Sequence, residues 1–144
     1  MMNNTKIALA VVGLTVALAG TMSVAQAEMM KFHADMTAGE ETPATDSKGM
    51  GTAEVTVDTD AKKVSWTVKV DGLTGDATAA HIHGPAAVGE KAGPEIDMSK
   101  AIMEGSADIT DAQLADIKAG KTYVNVHTAK FPDGEIRGQL AVAK

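Results

Sequence analysis

Val64-Ser65-Trp66-Thr67-Val68-Lys69-Val70 is the stretch that sets the fold class. Side chains alternate across a strand with a period of two. Val64, Trp66, Val68 and Val70 therefore share one face, and Ser65, Thr67 and Lys69 the other. That alternation predicts a half-buried strand. Asp71-Gly72 and Thr74-Gly75-Asp76 after it are turn signals. Before it, Asp58-Thr59-Asp60-Ala61-Lys62 reads as a hairpin turn. Residues 52–57 alternate again, with Val55 and Val57 on one face. Further back, residues 31–36 place Phe32, Ala34 and Met36 together, and residues 42–51 are rich in turn formers.

Toward the C-terminus, Ala80-His81-Ile82-His83 is strand-like and is ended by Gly84-Pro85. Residues 86–99 read as one long loop, because Pro85 and Pro94 would disrupt a central ladder. A single helix is predicted after it. Thr110 is its N-cap, Gln113 closes a capping box, Leu114 and Ile117 share a face, and Gly120 stops it. Tyr123-Val124-Asn125-Val126-His127-Thr128 is a strand and Phe131-Pro132-Asp133-Gly134 a tight turn. Residues 135–142 read as one last strand, with Ile136, Gly138, Leu140 and Val142 facing one way. Many short strands with regular turns argue for a β-sandwich or barrel. The alternating full helices that a parallel sheet requires are absent.

The N-terminus has the pattern of a secretory leader. Lys6 is followed by an apolar run over residues 7–19, and Ala25-Gln26-Ala27 is a small-x-small cleavage site. Cleavage after Ala27 is expected, leaving one domain over residues 28–144 in the periplasm or outside the cell. The apolar run falls short of the roughly 20 residues a membrane-spanning helix needs. No membrane span is expected once the leader is gone. The whole chain carries a formal charge of −6. Loss of the leader removes Lys6 and no acid, so the domain is one unit more acidic. Nucleic acid and anionic lipid are poor partners for such a surface, since phosphates demand clustered Lys and Arg. There is no cysteine, which excludes disulfides, thiolate metal sites and thiol nucleophiles.

Three of the four histidines lie in the two short strands quoted above. His-x-His on a strand puts His81 and His83 on one face, with Ala80 and Ile82 toward a core. In the second strand Tyr123, Asn125 and His127 share a face, and Val124, Val126 and Thr128 take the other. If the strands are neighbours, three imidazoles converge.

Ala79-Ala80-His81-Ile82-His83-Gly84-Pro85-Ala86, then Tyr123 to Thr128 as quoted, then Phe131-Pro132-Asp133-Gly134-Glu135-Ile136-Arg137-Gly138-Gln139-Leu140, together resemble the chordin domain (CHRD) family. Phe32-His33-Ala34-Asp35-Met36 and Glu41-Thr42-Pro43 fit the opening strand and the Glu-x-Pro turn of that family. The first histidine segment is also similar to the His-x-His copper strand of copper/zinc superoxide dismutases. No fourth copper histidine, zinc-loop histidine cluster or structural disulfide matches the dismutases. The resemblance implies a secreted, all-β, immunoglobulin-like or dismutase-like Greek-key β-sandwich, here with one short helix. It implies fold and compartment far more than activity.

Two roles compete for the histidines. In one, His81, His83 and His127 bind a transition metal, copper ahead of zinc, with His33 as a fourth candidate ligand. Imidazole suits these metals, and three histidines leave a coordination position open. Asn125, Glu135 and Arg137 would be outer partners that orient the rings. Met29, Met30, Met36, Met50, Met98 and Met103 offer thioethers suited to Cu(I). In the other role, the same histidines, with Asn125, Glu135 and Arg137, form a hydrogen-bonded network that pins strands together. For His33 the competing reading is a surface histidine, and for the methionines core filler and surface. No serine lies in a Gly-x-Ser-x-Gly motif, and no phosphate loop or paired-carboxylate pattern is present. The expected function is therefore binding rather than catalysis: a metal ion, with an extracytoplasmic protein partner as the alternative. A copper redox enzyme is the third reading.

Overall fold

Val64, Trp66 and Val68, the inward face of the alternating strand, are at most 4% exposed. They belong to β3 (Lys63–Asp71) in the computed structural model of the protein, which describes residues 27–144. The leader expected over residues 1–27 lies, apart from Ala27, outside the described residues. β1 (Met29–Thr37) and β2 (Met50–Asp58) precede β3 and pair with each other and with it in an antiparallel meander. The carboxylate Oδ1 of Asp58 accepts the N–H groups of Asp60 and Ala61, which fixes the β2–β3 hairpin turn.

The chain then crosses to the other half of the sheet for β4 (Ala77–His83) and β5 (Pro94–Asp97). It returns for β6 (Glu104–Asp108), runs through α1 (Asp111–Lys118), and ends with β7 (Tyr123–Thr128), β8 (Ile136–Gln139) and β9 (Ala141–Val142). The nine strands of the described residues form one antiparallel sheet in the order β5-β4-β7-β8-β1-β2-β3-β6, with β9 added on β1. The edge strands β5 and β6 are joined by residues 98–103 alone, which reach at most about 25 Å. The edges must therefore approach each other, and the sheet curls until it is nearly closed. Phe32, Val55, Trp66, Ile82, Val124 and Ile136, from six different strands, consequently meet in one core. Each such side chain contributes about 1.5–3 kcal/mol by leaving water.

The all-β class with one short helix is as expected, with the two halves continuous in a single sheet. The helix is capped as its sequence predicted: Gln113 N–H donates to Thr110 Oγ1, and Thr110 N–H donates to Gln113 Oε1. Ile117 enters the core, and Gly120 follows with a left-handed φ of 69°.

Three expectations are corrected. The loop over residues 86–99 contains β5. Pro94 is tolerated there because it opens an edge strand, where its missing N–H breaks no central ladder, and Ile96 points inward. β6 has no alternating apolar pattern and was not expected. It forms because β3 offers it an edge, and Gly105 lets it lie against the Trp66 indole, where a Cβ would come within 2.7 Å. The last strand breaks at Leu140, whose N–H turns to the Thr122 carbonyl. Val142, expected on one face with Ile136 and Leu140, is 61% exposed while they are buried.

Candidate metal centre

β4 and β7 are neighbours, in the register Ala79↔His127, His81↔Asn125 and His83↔Tyr123. Ala80 and Ile82 are fully buried in the core, so His81 and His83 must project to the opposite face. His127 joins them from β7. One ring nitrogen from each of the three lies within 4.8 Å of the others. The His81 ring stands edge-on to both partners, with centroids 5.4 Å from His83 and 5.0 Å from His127.

Backbone carbonyls orient two of the rings. His83 Nδ1 donates to the Ala92 carbonyl at 3.0 Å, and His127 Nδ1 donates to the Pro132 carbonyl at 2.8 Å. Each Nε2 is then left with its lone pair in the neutral ring. Among the described residues His83 Nε2 is buried with no hydrogen-bond partner, an unusual state for a polar atom in a folded protein. His127 Nε2 faces His81 Nδ1 at 3.1 Å. Burial lowers the His83 pKa, against the Ala92 carbonyl and with help from the charges of His81, His127 and Arg137. Burial also lowers the pKa of His81, as does His127, while Asp97 opposes it. Both rings are thus kept in the neutral form that binds metals.

Both faces of β7 are buried. Val124 and Val126 lie in the core, while Tyr123, Asn125 and His127 line an open cleft of about 440 Å³ beside Glu41, His81 and His83. The segment between β4 and β5 is tied down beside this cleft. Tyr123 Oη and His83 Nδ1 share the Ala92 carbonyl, and Arg137 Nη2 donates to the Glu90 carbonyl at 2.6 Å. Tyr123 stacks on His83, and the Arg137 guanidinium carbon lies 3.7 Å from the Tyr123 ring centroid.

A family model, CHRD domain, matches residues 32–140. The chain belongs to the CHRD domain family. The match takes in β4, β7 and β8, so the histidine cleft is built within the CHRD domain itself. No curated protein and no solved structure shows significant similarity to the chain.

The other residues singled out from the CHRD sequence fall in different places. Asn125 lies in the cleft and donates to the Glu41 carboxylate and, at 3.4 Å, to the Ile136 carbonyl. Arg137 lines the cleft as well. His33 does not join the three histidines. It lies on β1, opposite Glu54 and next to β9, with Nδ1 2.5 Å from Glu54 and Nε2 3.1 Å from Asp35. Glu135 does not meet the rings either. It is fully buried and accepts hydrogen bonds from Ser47, Thr128, and both the N–H and the hydroxyl of Thr74. Of the methionines, Met36 and Met98 fill the core and Met29, Met50 and Met103 are exposed; none lines the cleft.

Glu41 in the cleft and Asp97 beside His81 are two further site residues that the sequence did not single out. Glu41 follows the short 3-10 turn Ala38–Glu40 and lines the cleft. Burial pushes its carboxyl up to about 7, against Arg137, Asn125 and Lys91. Its position two residues before Pro43 in the Glu-x-Pro turn was the available signal. Asp97 sits directly across from His81 on β5, with Oδ1 3.6 Å from His81 Nε2. The sequence hides it, because Pro94 gives β5 the character of a loop.

Proposed function

We propose that the protein is an exported CHRD-domain protein that binds a transition metal, copper ahead of zinc, through His81, His83 and His127. One observation carries the reading: the buried, unpartnered Nε2 of His83 beside the ring nitrogens of the other two histidines. A metal ion gives that lone pair the partner it lacks. The carbonyls of Ala92 and Pro132 supply the outer hydrogen bonds that metal-binding histidines normally make. Three ligands leave a position open toward the cleft, which suits an ion that is carried or buffered and then handed on. Among the described residues no helix is long and apolar enough to cross a membrane. The compartment proposed, periplasmic or extracellular, rests on the leader pattern. The intact mass of exported protein tests it, and retention of residues 1–27 contradicts it.

Equilibrium dialysis against Cu(II), with the bound metal counted, tests the site. One equivalent is expected. The His81→Ala/His83→Ala variant should lose it while keeping its far-ultraviolet circular dichroism. Undiminished uptake by the folded variant contradicts the reading.

A second reading has its own observation. The direct His81–His127 hydrogen bond links β4 to β7 without any ion. On that reading the cluster holds a protein-interaction module together, the double variant loosens the fold, and no metal stabilises the parent. A copper redox enzyme is a third reading and requires copper-dependent superoxide turnover well above that of free copper.

A further inference from the structure

We infer that Asp97 is a positioning residue of this centre, and that loading the metal moves the N–H of His81 from Nδ1 to Nε2, where the Asp97 carboxylate accepts it. The inference rests on the proposed metal site and specifies how that site is made ready.

The count of ring protons fixes where each one sits. With the rings neutral, each carries one N–H. His83 and His127 spend theirs, from Nδ1, on the carbonyls of Ala92 and Pro132. The 3.1 Å contact between His81 Nδ1 and His127 Nε2 needs one proton between two nitrogens. His127 has none left to give, so the donor is His81 Nδ1–H. That leaves a lone pair on His81 Nε2, facing Asp97 Oδ1, itself an acceptor. Two acceptors repel, and their separation of 3.6 Å is longer than a hydrogen bond.

The metal reverses this. An ion among the three rings needs the lone pairs of His83 Nε2, His127 Nε2 and His81 Nδ1. His81 must then carry its proton on Nε2, where Asp97 is already in place as acceptor. The imidazole stays neutral; solvent takes the proton from one nitrogen and returns it to the other. The carboxylate is well held for the task. Asp97 is the cross-strand partner of His81, and its Oδ1 also accepts the Ser99 N–H at 2.9 Å. His81 is thus the ring that switches, while the carbonyl-anchored His83 and His127 stay as they are.

Ring nitrogen NMR of the full protein reads the tautomer directly. Spectra are compared without metal and with one equivalent of Cu(I) or Zn(II), both diamagnetic. The expected result is a His81 proton on Nδ1 in the free protein and on Nε2 once the ion is bound. Asp97→Asn, which removes the charge and keeps the side chain's shape, should lower ion affinity about tenfold without lowering the metal-free melting temperature. Suppose an ion binds but the His81 proton does not move, or Asp97→Asn binds as tightly as the parent. Either result overturns the role of Asp97 and leaves the metal site standing. If neither ion shifts any histidine ring signal, the metal site fails and this inference fails with it.

Discussion

The His83 and Tyr123 rings lie face to face, centroids 4.9 Å apart and 5° from parallel, and both residues reach the carbonyl oxygen of Ala92. The stack fixes the plane of the imidazole, and the shared carbonyl fixes its rotation. A ring held in both respects loses little freedom when it takes an ion, which favours binding.

Tyr123→Phe keeps the stack and removes the hydroxyl. The Ala92 N–H, 3.2 Å from that hydroxyl, also loses its contact. The variant should be about 1 kcal/mol less stable in urea unfolding. Its stabilisation by metal should persist, because His83 Nδ1 still donates to Ala92.

Glu135 gives a contrasting prediction, since it stands apart from the histidines. Burial alone would raise its pKa, but hydrogen bonds from Ser47, Thr128 and Thr74 outweigh that and hold it low. A depressed carboxyl contributes stability above its unfolded pKa, and that contribution is lost as pH falls through the folded value. Glu135→Gln should therefore cost about 3 kcal/mol near neutrality. It should also flatten the loss of stability on going from about pH 7 to pH 3. Urea unfolding across that range checks both. The rise in melting temperature with metal should be the same as in the parent.

His33 titrates in the opposite sense. Hydrogen bonds that the ring donates to Glu54, then to Asp35, raise its pKa above the usual 6.5. Such a group contributes fully below the unfolded pKa, and the contribution fades as pH rises through the folded one. His33→Gln should be less stable than the parent below about pH 6.5, and the two should converge in alkali. The difference will be small, because the site is exposed and water screens it. Melting curves against pH test the convergence.

The sequence made the centre of the sheet legible and hid its edges. Val64, Trp66 and Val68 alternate plainly because that strand faces a core on one side and water on the other. Capping showed the helix, because Thr110 and Gln113 act within one turn of each other. β6 was invisible, because Glu104-Gly105-Ser106-Ala107-Asp108 becomes a strand through its pairing with β3 and not through its own residues. β5 was masked by Pro94. That miss mattered for the site as well, since it removed the strand that sets Asp97 against His81. The three histidines were found because period-two spacing fixes their face. Glu135 was misplaced among their partners because spacing cannot say how the chain bends after the turn at Gly134, where φ is 124°. There the carboxylate reaches Thr128, on the core side of β7, instead of the cleft.

Thermal unfolding of the protein, alone and with one equivalent each of Cu(II), Zn(II) and Ag(I), tests the metal centre most directly. Silver stands in for Cu(I). An ion that binds only the folded state raises the melting temperature by mass action. The account predicts a rise that is largest for copper or silver and is abolished by His127→Ala. No rise with any of the three ions, or an equal rise in His127→Ala, would contradict it.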